Sequence, residues 1–343
     1  MVAKMAKTSV KTSRREFLNL GVASLAAAFL APFGSTPPVD DPFPLRTSAY
    51  SLGRVTRSNF YFQDASFKSK KLRGYNTNTI MKIFDQKKGD MDFWENPLWF
   101  QAENGWVNAA FITPVRNETN EPVTDMPAGG FLAEVTVPMT WAFSGDAGET
   151  MKQIYALFYG MTWWVDYHNV DKQGTHWYRI YDDLEETNYW APAQHFRRVF
   201  AEELAPTSMT ILDKRIEISL ASQTLTAFEN GKAVFTSAVS TGAKEGDTKP
   251  GEYVIERKRP SRHMAPMEGN GYDLPGVPWV SFISWTGVSI HGTYWHNNFG
   301  HPMSHGCINL PTPAAKWVYL WSMPVVPAEK QSIKEDGTRV VIT

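Results

Sequence analysis

The chain has 343 residues, enough for about two to three domains, so a single very small fold is excluded. Its 34 Lys and Arg residues balance 35 Asp and Glu residues, and the net charge of −1 offers no basic excess to neutralise a nucleic acid. With 43% apolar and 20% charged residues the composition argues against disorder, and the single cysteine excludes an intramolecular disulfide.

The first forty residues predict an export signal. Lysines precede the pair Arg14-Arg15, and an apolar run from Leu18 to Phe33 follows. This arrangement is typical of the twin-arginine route, so we expect an extracytoplasmic protein of the cell envelope that meets the membrane only through this signal. The run is shorter than the roughly twenty residues of a membrane span. An uncleaved anchor and an amphipathic surface helix are the alternatives, and residues 34–44 predict a linker.

Two stretches of short β-type runs separated by polar turns, residues 45–120 and 130–205, predict two small β domains. The second stretch repeats the first loosely, because Trp177–Tyr181 matches Trp99–Gln101 in kind and position. The pattern resembles a tandem of bacterial SH3-like barrels. The many aromatic residues fit either barrel cores or a groove that contacts glycan.

A sharper β pattern covers residues 211–343. Alternating apolar residues enter a hairpin at Asn230-Gly231, a pair that favours a type I′ turn. Trp279–His291 predicts a strand pair, and Thr312 predicts the N-cap of a helix that ends near Trp321. Arg339–Ile342 predicts a final strand. This part is therefore expected to be mostly β with one short helix.

Residues 259–278 are rich in Pro, Gly and Met and look too irregular for a strand. They predict a lid over a cleft, with a plain surface excursion as the alternative. Within a lid, Arg262 or His263 would meet carboxylates of a ligand.

The only cysteine lies in a distinctive stretch, Ser304-His305-Gly306-Cys307-Ile308-Asn309-Leu310. By composition alone, a free cysteine is most often buried and inert. Here a second histidine, His291, precedes Cys307 by sixteen positions, and an imidazole is the base that a thiol nucleophile needs. Gly306 permits a tight turn, and the backbone N–H of Cys307 is the first candidate donor to an oxyanion.

A zinc site is an alternative use of the same region, since imidazole and thiolate are common zinc ligands. The four histidines are His291, His296, His301 and His305, and their spacings of five, five and four fit none of the usual zinc patterns. We therefore predict no metal and no cofactor. His296 and His301 are expected on a lid or on the surface.

Residues 214–343 resemble the YkuD-type L,D-transpeptidase catalytic domain, whose signature is a His followed some fifteen residues later by Ser/Thr-His-Gly-Cys. The family's Ser240-Thr241-Gly242 and Lys249-Pro250-Gly251 turns are also present. The resemblance implies a mainly β protein, in which an L,D-transpeptidase-like β-sandwich with one short helix follows two SH3-like barrels. The expected domains are 1–40 for signal and linker, 45–120, 130–205 and 211–343.

The same resemblance implies residue roles. Cys307 would be the nucleophile and His291 its proton acceptor and donor. Ser304, His305 and Gly306 would form the wall and the oxyanion site, and Asn309 would support the loop or the peptide.

The implied reaction is peptidoglycan crosslinking, which serves cell wall organisation and cell shape. Cys307 would attack a stem tetrapeptide, release D-alanine and pass the acyl group to an amine of a second stem. With water as acceptor, the enzyme would be an L,D-carboxypeptidase. A thiol endopeptidase of the NlpC/P60 kind is less consistent, because that family places Cys before His. A wall-binding module with an inactive domain is a further alternative.

Overall fold

The structure is a computed structural model, and it describes residues 52–91, 96–208, 213–266 and 271–343. The export signal and linker predicted within residues 1–44 lie outside these described residues and stay predictions. All described residues belong to one compact unit. Within the described ranges, no helix is both long and apolar enough to cross a membrane.

The first module, residues 52–115, is a seven-stranded antiparallel sheet. Its strands are β1 (Leu52–Val55), β2 (Asn59–Phe62), β3 (Lys71–Tyr75), β4 (Ile80–Lys88), β5 (Leu98–Ala102), β6 (Gly105–Asn108) and β7 (Ile112–Val115). They are ordered β3-β2-β6-β5-β4-β1-β7. In β4 the buried side chains of Met81 and Ile83 alternate with exposed neighbours, so one face of the strand enters the core.

The second module, residues 131–198, is built in the same way. Its strands are β8 (Phe131–Val135), β9 (Met139–Ser144), β10 (Lys152–Phe158), β11 (Thr162–Val170), β12 (His176–Asp182), β13 (Thr187–Pro192) and β14 (Phe196–Arg198). Their order, β10-β9-β13-β12-β11-β8-β14, repeats that of the first module strand for strand. The two modules therefore share one topology, while their SH3-like character stays a prediction.

The carboxy-terminal domain, residues 214–342, contains two five-stranded sheets. The first sheet has the order β17-β16-β15-β24-β18 and the second β22-β21-β20-β19-β23. Their strands are β15 (Lys214–Ser219), β16 (Thr224–Glu229), β17 (Lys232–Ala238), β18 (Gly251–Val254), β19 (Arg257–Met264), β20 (Leu274–Phe282), β21 (Ser289–Thr293), β22 (Ile308–Pro311), β23 (Ile333–Lys334) and β24 (Arg339–Ile342). The helix α1 (Thr312–Trp321) follows β22 directly.

One apolar core joins both sheets and the helix. It includes Ile216, Leu225, Ile290, Ile308, Val318 and Val340. The sandwich layout places β21 and β22 against α1, the one α-helix among the described residues, and the expected mainly β fold is confirmed. The predicted hairpin is present as well, since Asn230 and Gly231 both have positive φ between β16 and β17.

The prediction for residues 259–278 was wrong in its main point. Most of this segment belongs to two paired strands, β19 and β20, with Arg259 opposite Val280 and Ser261 opposite Pro278. Residues 267–270 lie outside the described residues. The polar strand β19 escaped detection because its buried Lys258 and His263 find their partners in distant parts of the chain.

The helix prediction needs a correction of one residue. Thr312 is the first residue of α1, and the N-cap position belongs to Pro311. Pro313 lies in the first turn, where its missing N–H leaves no hydrogen bond unmade.

The second module packs against the hairpin formed by β19 and β20. Thr162 donates from its hydroxyl to the carbonyl of Pro260 at 2.6 Å, and Ser261 donates back to the carbonyl of Thr162 at 2.5 Å. Arg259 adds an ion pair to Asp183 at 2.6 Å. Backbone acceptors and a charged pair thus hold this hairpin to the second module.

The first module contacts a different part of the carboxy-terminal domain, the loop that follows β21. The buried guanidinium of Arg54 donates to the carbonyl of Tyr294 at 2.5 Å and lies 3.9 Å above the ring of Phe158 in the second module. Asn297 donates from its backbone N–H to the carbonyl of Ala110 at 2.8 Å. This interface is built from backbone carbonyls and carries no ion pair among the contacts of these residues.

Candidate active site

Two parallel neighbouring strands position the thiol and the imidazole. In the register of β21 and β22, Ile290 pairs with Ile308 and His291 with Asn309. Cys307 directly precedes β22, and Ser289 Oγ lies 3.7 Å from its Sγ, which continues that register by one step. Since residues two apart on a strand share a face, His291 and Cys307 lie on the same face of the sheet.

Cys307 is half-buried, and its thiol has polar neighbours on the preceding strand connection. Sγ lies 3.8 Å from the carbonyl oxygen of Gly287, to which the thiol can donate. Burial raises the pKa of the Cys307 thiol, although hydrogen bonds from the hydroxyl and the backbone N–H of Ser289 oppose that rise. The resting cysteine is therefore a neutral thiol at neutral pH.

His291 is 2% exposed, and its ring orientation is fixed by its own neighbour. Nδ1 lies 2.9 Å from the carbonyl oxygen of Gly292, an acceptor only, so Nδ1 carries the hydrogen. Burial lowers the pKa of His291 to about 4, and the imidazole is neutral at physiological pH. Its Nε2 lone pair is consequently available as a proton acceptor. The carbonyl of Gly292 therefore orients the ring of His291.

The turn that leads into Cys307 is held by a short hydrogen-bond chain. Ser304 donates from Oγ to the carbonyl of Cys307 at 2.6 Å and accepts from the N–H of Gly306 at 3.0 Å. Thr248 donates from its hydroxyl to the carbonyl of Gly306 at 2.8 Å. Gly306 has φ of +127°, and a Cβ there would lie 2.8 Å from the carbonyl oxygen of Asp247. Only glycine fits this position without strain.

Asn309 connects the thiol strand to a histidine that the sequence placed on a lid or surface. His296 is 3% exposed, and its Nε2 lies 3.0 Å from the side-chain amide of Asn309. The atom of Asn309 at this distance is its amide nitrogen Nδ2, and the N–H of Asn298 lies 3.2 Å from Nδ1, so the two asparagines hold the ring from both sides. Burial, with a smaller effect of nearby His291, lowers the pKa of His296 to about 3. The surface prediction for His296 was wrong, because it is a buried neutral support.

Tyr272 forms the outer side of the site. Its ring lies 5.2 Å from the ring of exposed His305, measured between centroids. Burial raises the pKa of the Tyr272 phenol, and a Cys307 thiolate would raise it further. Tyr272 therefore packs on His305, two residues before the nucleophile.

The predicted site residues fall into two groups. Cys307, His291, Ser304, His305, Gly306 and Asn309 all lie in or beside the pair β21 and β22. In contrast, Arg262 and His263 bind carboxylates of the second module, Asp183 and Asp182, rather than facing the thiol.

Sequence reasoning missed Ser289 and Tyr272. The period of two in β21 was a usable signal for Ser289, since it precedes His291 by two residues. Tyr272 had no local signal.

The histidines near the thiol are engaged separately. Among the described residues, no group of three or more His, Cys, Asp or Glu side chains is arranged to hold a metal ion. His291 binds a carbonyl, His296 binds Asn309, and His305 packs on Tyr272.

Comparison with known families agrees with this geometry. The family model described as the L,D-transpeptidase catalytic domain, YkuD, matches residues 213–342. The matched residues contain both His291 and Cys307.

Two curated relatives align over 133 residues each. The chain is 29% identical to L,D-transpeptidase 2 of Mycobacterium tuberculosis, covering 35% of this chain and 32% of the relative. It is 30% identical to the putative L,D-transpeptidase YkuD of Bacillus licheniformis, covering 38% of this chain and 65% of the relative. The alignments therefore span less than two thirds of either relative.

Among solved structures, the chain is similar to the L,D-transpeptidase (residues 123–326) from Xylanimonas cellulosilytica. The identity is 26%, the TM-score is 0.31, and the match covers 40% of this chain and 64% of the other.

Proposed function

We propose that this protein is a peptidoglycan L,D-transpeptidase in which Cys307 is the nucleophile and His291 is the proton acceptor and donor. The observation that carries the proposal is the placement of the only cysteine beside a buried, neutral histidine on one face of the sheet, within residues matched to this catalytic-domain family. The family match supplies the reaction class. The geometry supplies the assignment of roles.

The first chemical step joins a proton transfer to nucleophilic attack. With Nδ1 of His291 donating to Gly292, Nε2 accepts the proton of the Cys307 thiol as Sγ attacks the carbonyl carbon. The raised pKa of the thiol and the lowered pKa of the imidazole both favour neutral partners at rest. The charged pair thus forms during the reaction and does not precede it.

The bond broken is the amide between the third residue of a stem tetrapeptide and its terminal D-alanine. Attack forms a tetrahedral oxyanion, and we assign its stabilisation to the backbone N–H of Cys307, in the turn that Ser304 and Gly306 hold. As the intermediate collapses, His291 returns its proton to the departing amine, and D-alanine leaves. The acyl group remains on Sγ as a thioester.

The second half-reaction uses an amine from another stem peptide. The amine nitrogen attacks the thioester carbonyl, His291 removes a proton from that nitrogen, and Sγ leaves with a proton from the same imidazole. The product is a crosslink between the two stems, and the free thiol is restored. The mechanism uses no metal or cofactor. Water in place of the amine would give carboxypeptidase activity from the same acyl-enzyme.

The setting of this reaction follows from the sequence features at the amino terminus. The arginine pair and the apolar run support export by the twin-arginine route to the cell envelope, where peptidoglycan is the substrate. We also propose that the two modules lie along the same polymer, with their exposed aromatic residues contacting glycan.

The test is incubation of the purified full chain with disaccharide tetrapeptides, followed by mass spectrometry of the products. We expect released D-alanine together with crosslinked dimers, and an acyl adduct that maps to Cys307. Cys307→Ala should abolish all three signals. Monomeric tripeptide products without dimers would instead establish a carboxypeptidase, and unchanged tetrapeptide with wild-type protein would refute acyl transfer altogether.

A further inference from the structure

Outside the reaction centre, one buried histidine bridges two carboxylates from different parts of the molecule. His263 on β19 is 3% exposed. Its Nδ1 lies 2.8 Å and 3.0 Å from the two carboxylate oxygens of Asp182, which ends strand β12 of the second module. Its Nε2 lies 2.6 Å from Oδ1 of Asp273, which precedes β20. The ring thus links the second module to the segment that carries Tyr272.

Both nitrogens face groups that only accept hydrogen bonds. A neutral imidazole has one N–H, so it can donate to only one of these carboxylates, whereas the imidazolium donates to both. Burial by itself would lower the pKa of His263, but hydrogen bonds to Asp182 and Asp273 outweigh burial and raise it. The geometry and the charges therefore agree on a cation.

The two links are unequal. Asp182 is completely buried and accepts further hydrogen bonds from the hydroxyl of Tyr155 at 2.8 Å and from the N–H groups of Leu184 and Glu185. The side chain of Asp273 is 71% exposed. When His263 loses its proton, the remaining N–H stays on Asp182, because a buried carboxylate cannot turn to water while an exposed one can.

The weaker link, between His263 and Asp273, lies next to the residue that packs beside the nucleophile's turn. Asp273 directly follows Tyr272, whose ring packs on His305, two residues before Cys307. Two residues beyond Asp273, the carbonyl of Pro275 accepts a hydrogen bond from the hydroxyl of Tyr294 at 2.8 Å. The backbone carbonyl of Tyr294 in turn accepts a hydrogen bond from Arg54 of the first module. Residues 272–275 are accordingly fixed at one side by Tyr294 and at the other by His263.

We propose that His263 is a positioning residue that holds Tyr272 against His305 through Asp273, so that the second module controls access to the thiol two residues beyond His305. The inference deepens the proposed function and rests on it for its biological meaning. Its direct test, however, measures only the rate at which the Cys307 thiol is modified.

The proposal has a definite pH direction. Because the pKa of His263 is raised, the link to Asp273 is complete below that pKa and is lost as the pH rises through it. The charged and titratable groups around the ring are Asp182, Asp183, Glu185, Tyr155 and Tyr189 from the second module, Asp273 from the connecting segment, and Arg259 and Arg262 from β19. Asp183 is neutralised by the two arginines, which leaves Asp182 and Asp273 as the partners of the imidazolium.

The experiment follows the modification of Cys307, the only cysteine, by 4,4′-dithiodipyridine in the full chain. The thiolate attacks the disulfide and releases one pyridinethione, which is measured by absorbance. Rates are compared in steps upward from pH 6 for wild type, Asp273→Ala and Asp273→Asn, because the raised pKa of His263 lies on that side. Glu252→Gln is the matched control, since it removes another exposed ion pair, to Arg339, in the same domain.

Asp273→Ala and Asp273→Asn should change the rate of thiol modification in opposite directions relative to wild type, each in a different pH range. At pH 6, Asp273→Ala should react about ten-fold faster than wild type, because it removes a charge-assisted hydrogen bond, while Asp273→Asn should match wild type. Once the pH has risen through the raised pKa of His263, wild type should approach the Ala variant, and Asp273→Asn should stay about ten-fold slower, because an amide donates to neutral Nε2. Glu252→Gln should follow wild type at every pH.

Equal rates for wild type and Asp273→Ala at pH 6 would overturn the proposal, as would an Asn variant that accelerates together with wild type as the pH rises, or a wild type that never approaches the Ala variant. Thermal unfolding of each variant separates this positioning role from misfolding. If wild type releases no D-alanine from tetrapeptides but the pattern of thiol rates is as stated, the proposed function fails and the positioning role of His263 stands.

Discussion

Two buried histidines of the carboxy-terminal domain are in opposite states. His291 and His263 are similarly inaccessible, yet the pKa of His291 is lowered to about 4 and that of His263 is raised. The difference lies in their partners, because His291 meets one backbone carbonyl and His263 meets two carboxylates. Burial disfavours the charged form of both rings, and the neighbouring groups decide whether the imidazole is nevertheless protonated.

This contrast matches the two tasks. A neutral ring beside the thiol can accept a proton, whereas a charged ring at the module interface can hold two acids together. Histidine thus serves as a proton acceptor beside the thiol and as a hydrogen-bonding cation at the module interface. Four predictions test the comparison.

The largest effect is expected from replacing His291, the neutral imidazole beside the thiol. His291→Gln keeps a donor for Gly292 but removes the proton acceptor, so kcat/KM for D-alanine release should fall by about 10²–10⁴. Mass spectrometric quantification of D-alanine measures it. His168→Gln, a histidine change in the second module, should leave the rate unaltered. A loss smaller than about ten-fold for His291→Gln would exclude its role as the base.

The second prediction concerns the buried acid that holds the charged ring. Asp182→Ala should lower the free energy of unfolding by about 3 kcal/mol, because His263, Tyr155 and two backbone N–H groups lose their acceptor. Thermal unfolding followed by circular dichroism measures the shift. Asp166→Ala, which removes a half-exposed ion pair to Arg179 in the same module, should cost at most about 1 kcal/mol. Equal losses for the two variants would show that the link to His263 contributes little.

The third prediction uses pH to separate the two rings. Because a protonated His291 cannot accept the thiol proton, activity should decline only as the pH falls through about 4, not through the ordinary imidazole range near 6.5. A profile of kcat/KM between pH 3.5 and 8 gives the midpoint, with circular dichroism at each pH as the control for folding. A midpoint near 6.5 would mean that burial does not govern this ring.

The smallest effect is expected from Asp273, the exposed carboxylate that His263 binds. Asp273→Asn should change the free energy of unfolding by less than about 1 kcal/mol, because its side chain is 71% exposed. The measurement is the same thermal unfolding, run beside Asp182→Ala. A loss as large as that of Asp182→Ala would make the segment before β20 a structural element and not an adjustable cover.

The sequence predicted those features whose cause is local. The hairpin at Asn230-Gly231 needs positive φ at two adjacent positions, and Asn and Gly are residue types that adopt positive φ readily. The final strand, Arg339–Ile342, and the helix from Thr312 to Trp321 have the expected periodicity and punctuation. The thiol and its histidine were found because their spacing resembles a family signature.

Features with distant causes were missed. β19 contains Lys258, Pro260 and His263, and it looked irregular because nothing nearby explains buried polar residues. Lys258 donates to the carbonyls of Ser322 and Pro324, and His263 binds Asp182, so the reason for each lies more than sixty residues away. His296 was misplaced for the same reason, since Asn309 becomes its neighbour only after the sheet forms.

The attachment of both modules beside the thiol has a consequence for dissection of the protein. A fragment that starts at residue 213 would retain His291 and Cys307, but it would lose Asp182 and Arg54. His263 would then be a solvent-facing base without its inner counter-charge, and Tyr294 would hold Pro275 without support. Turnover and inhibitor sensitivity determined on such a fragment would describe an uncovered thiol, so the intact chain is the proper material for enzymology.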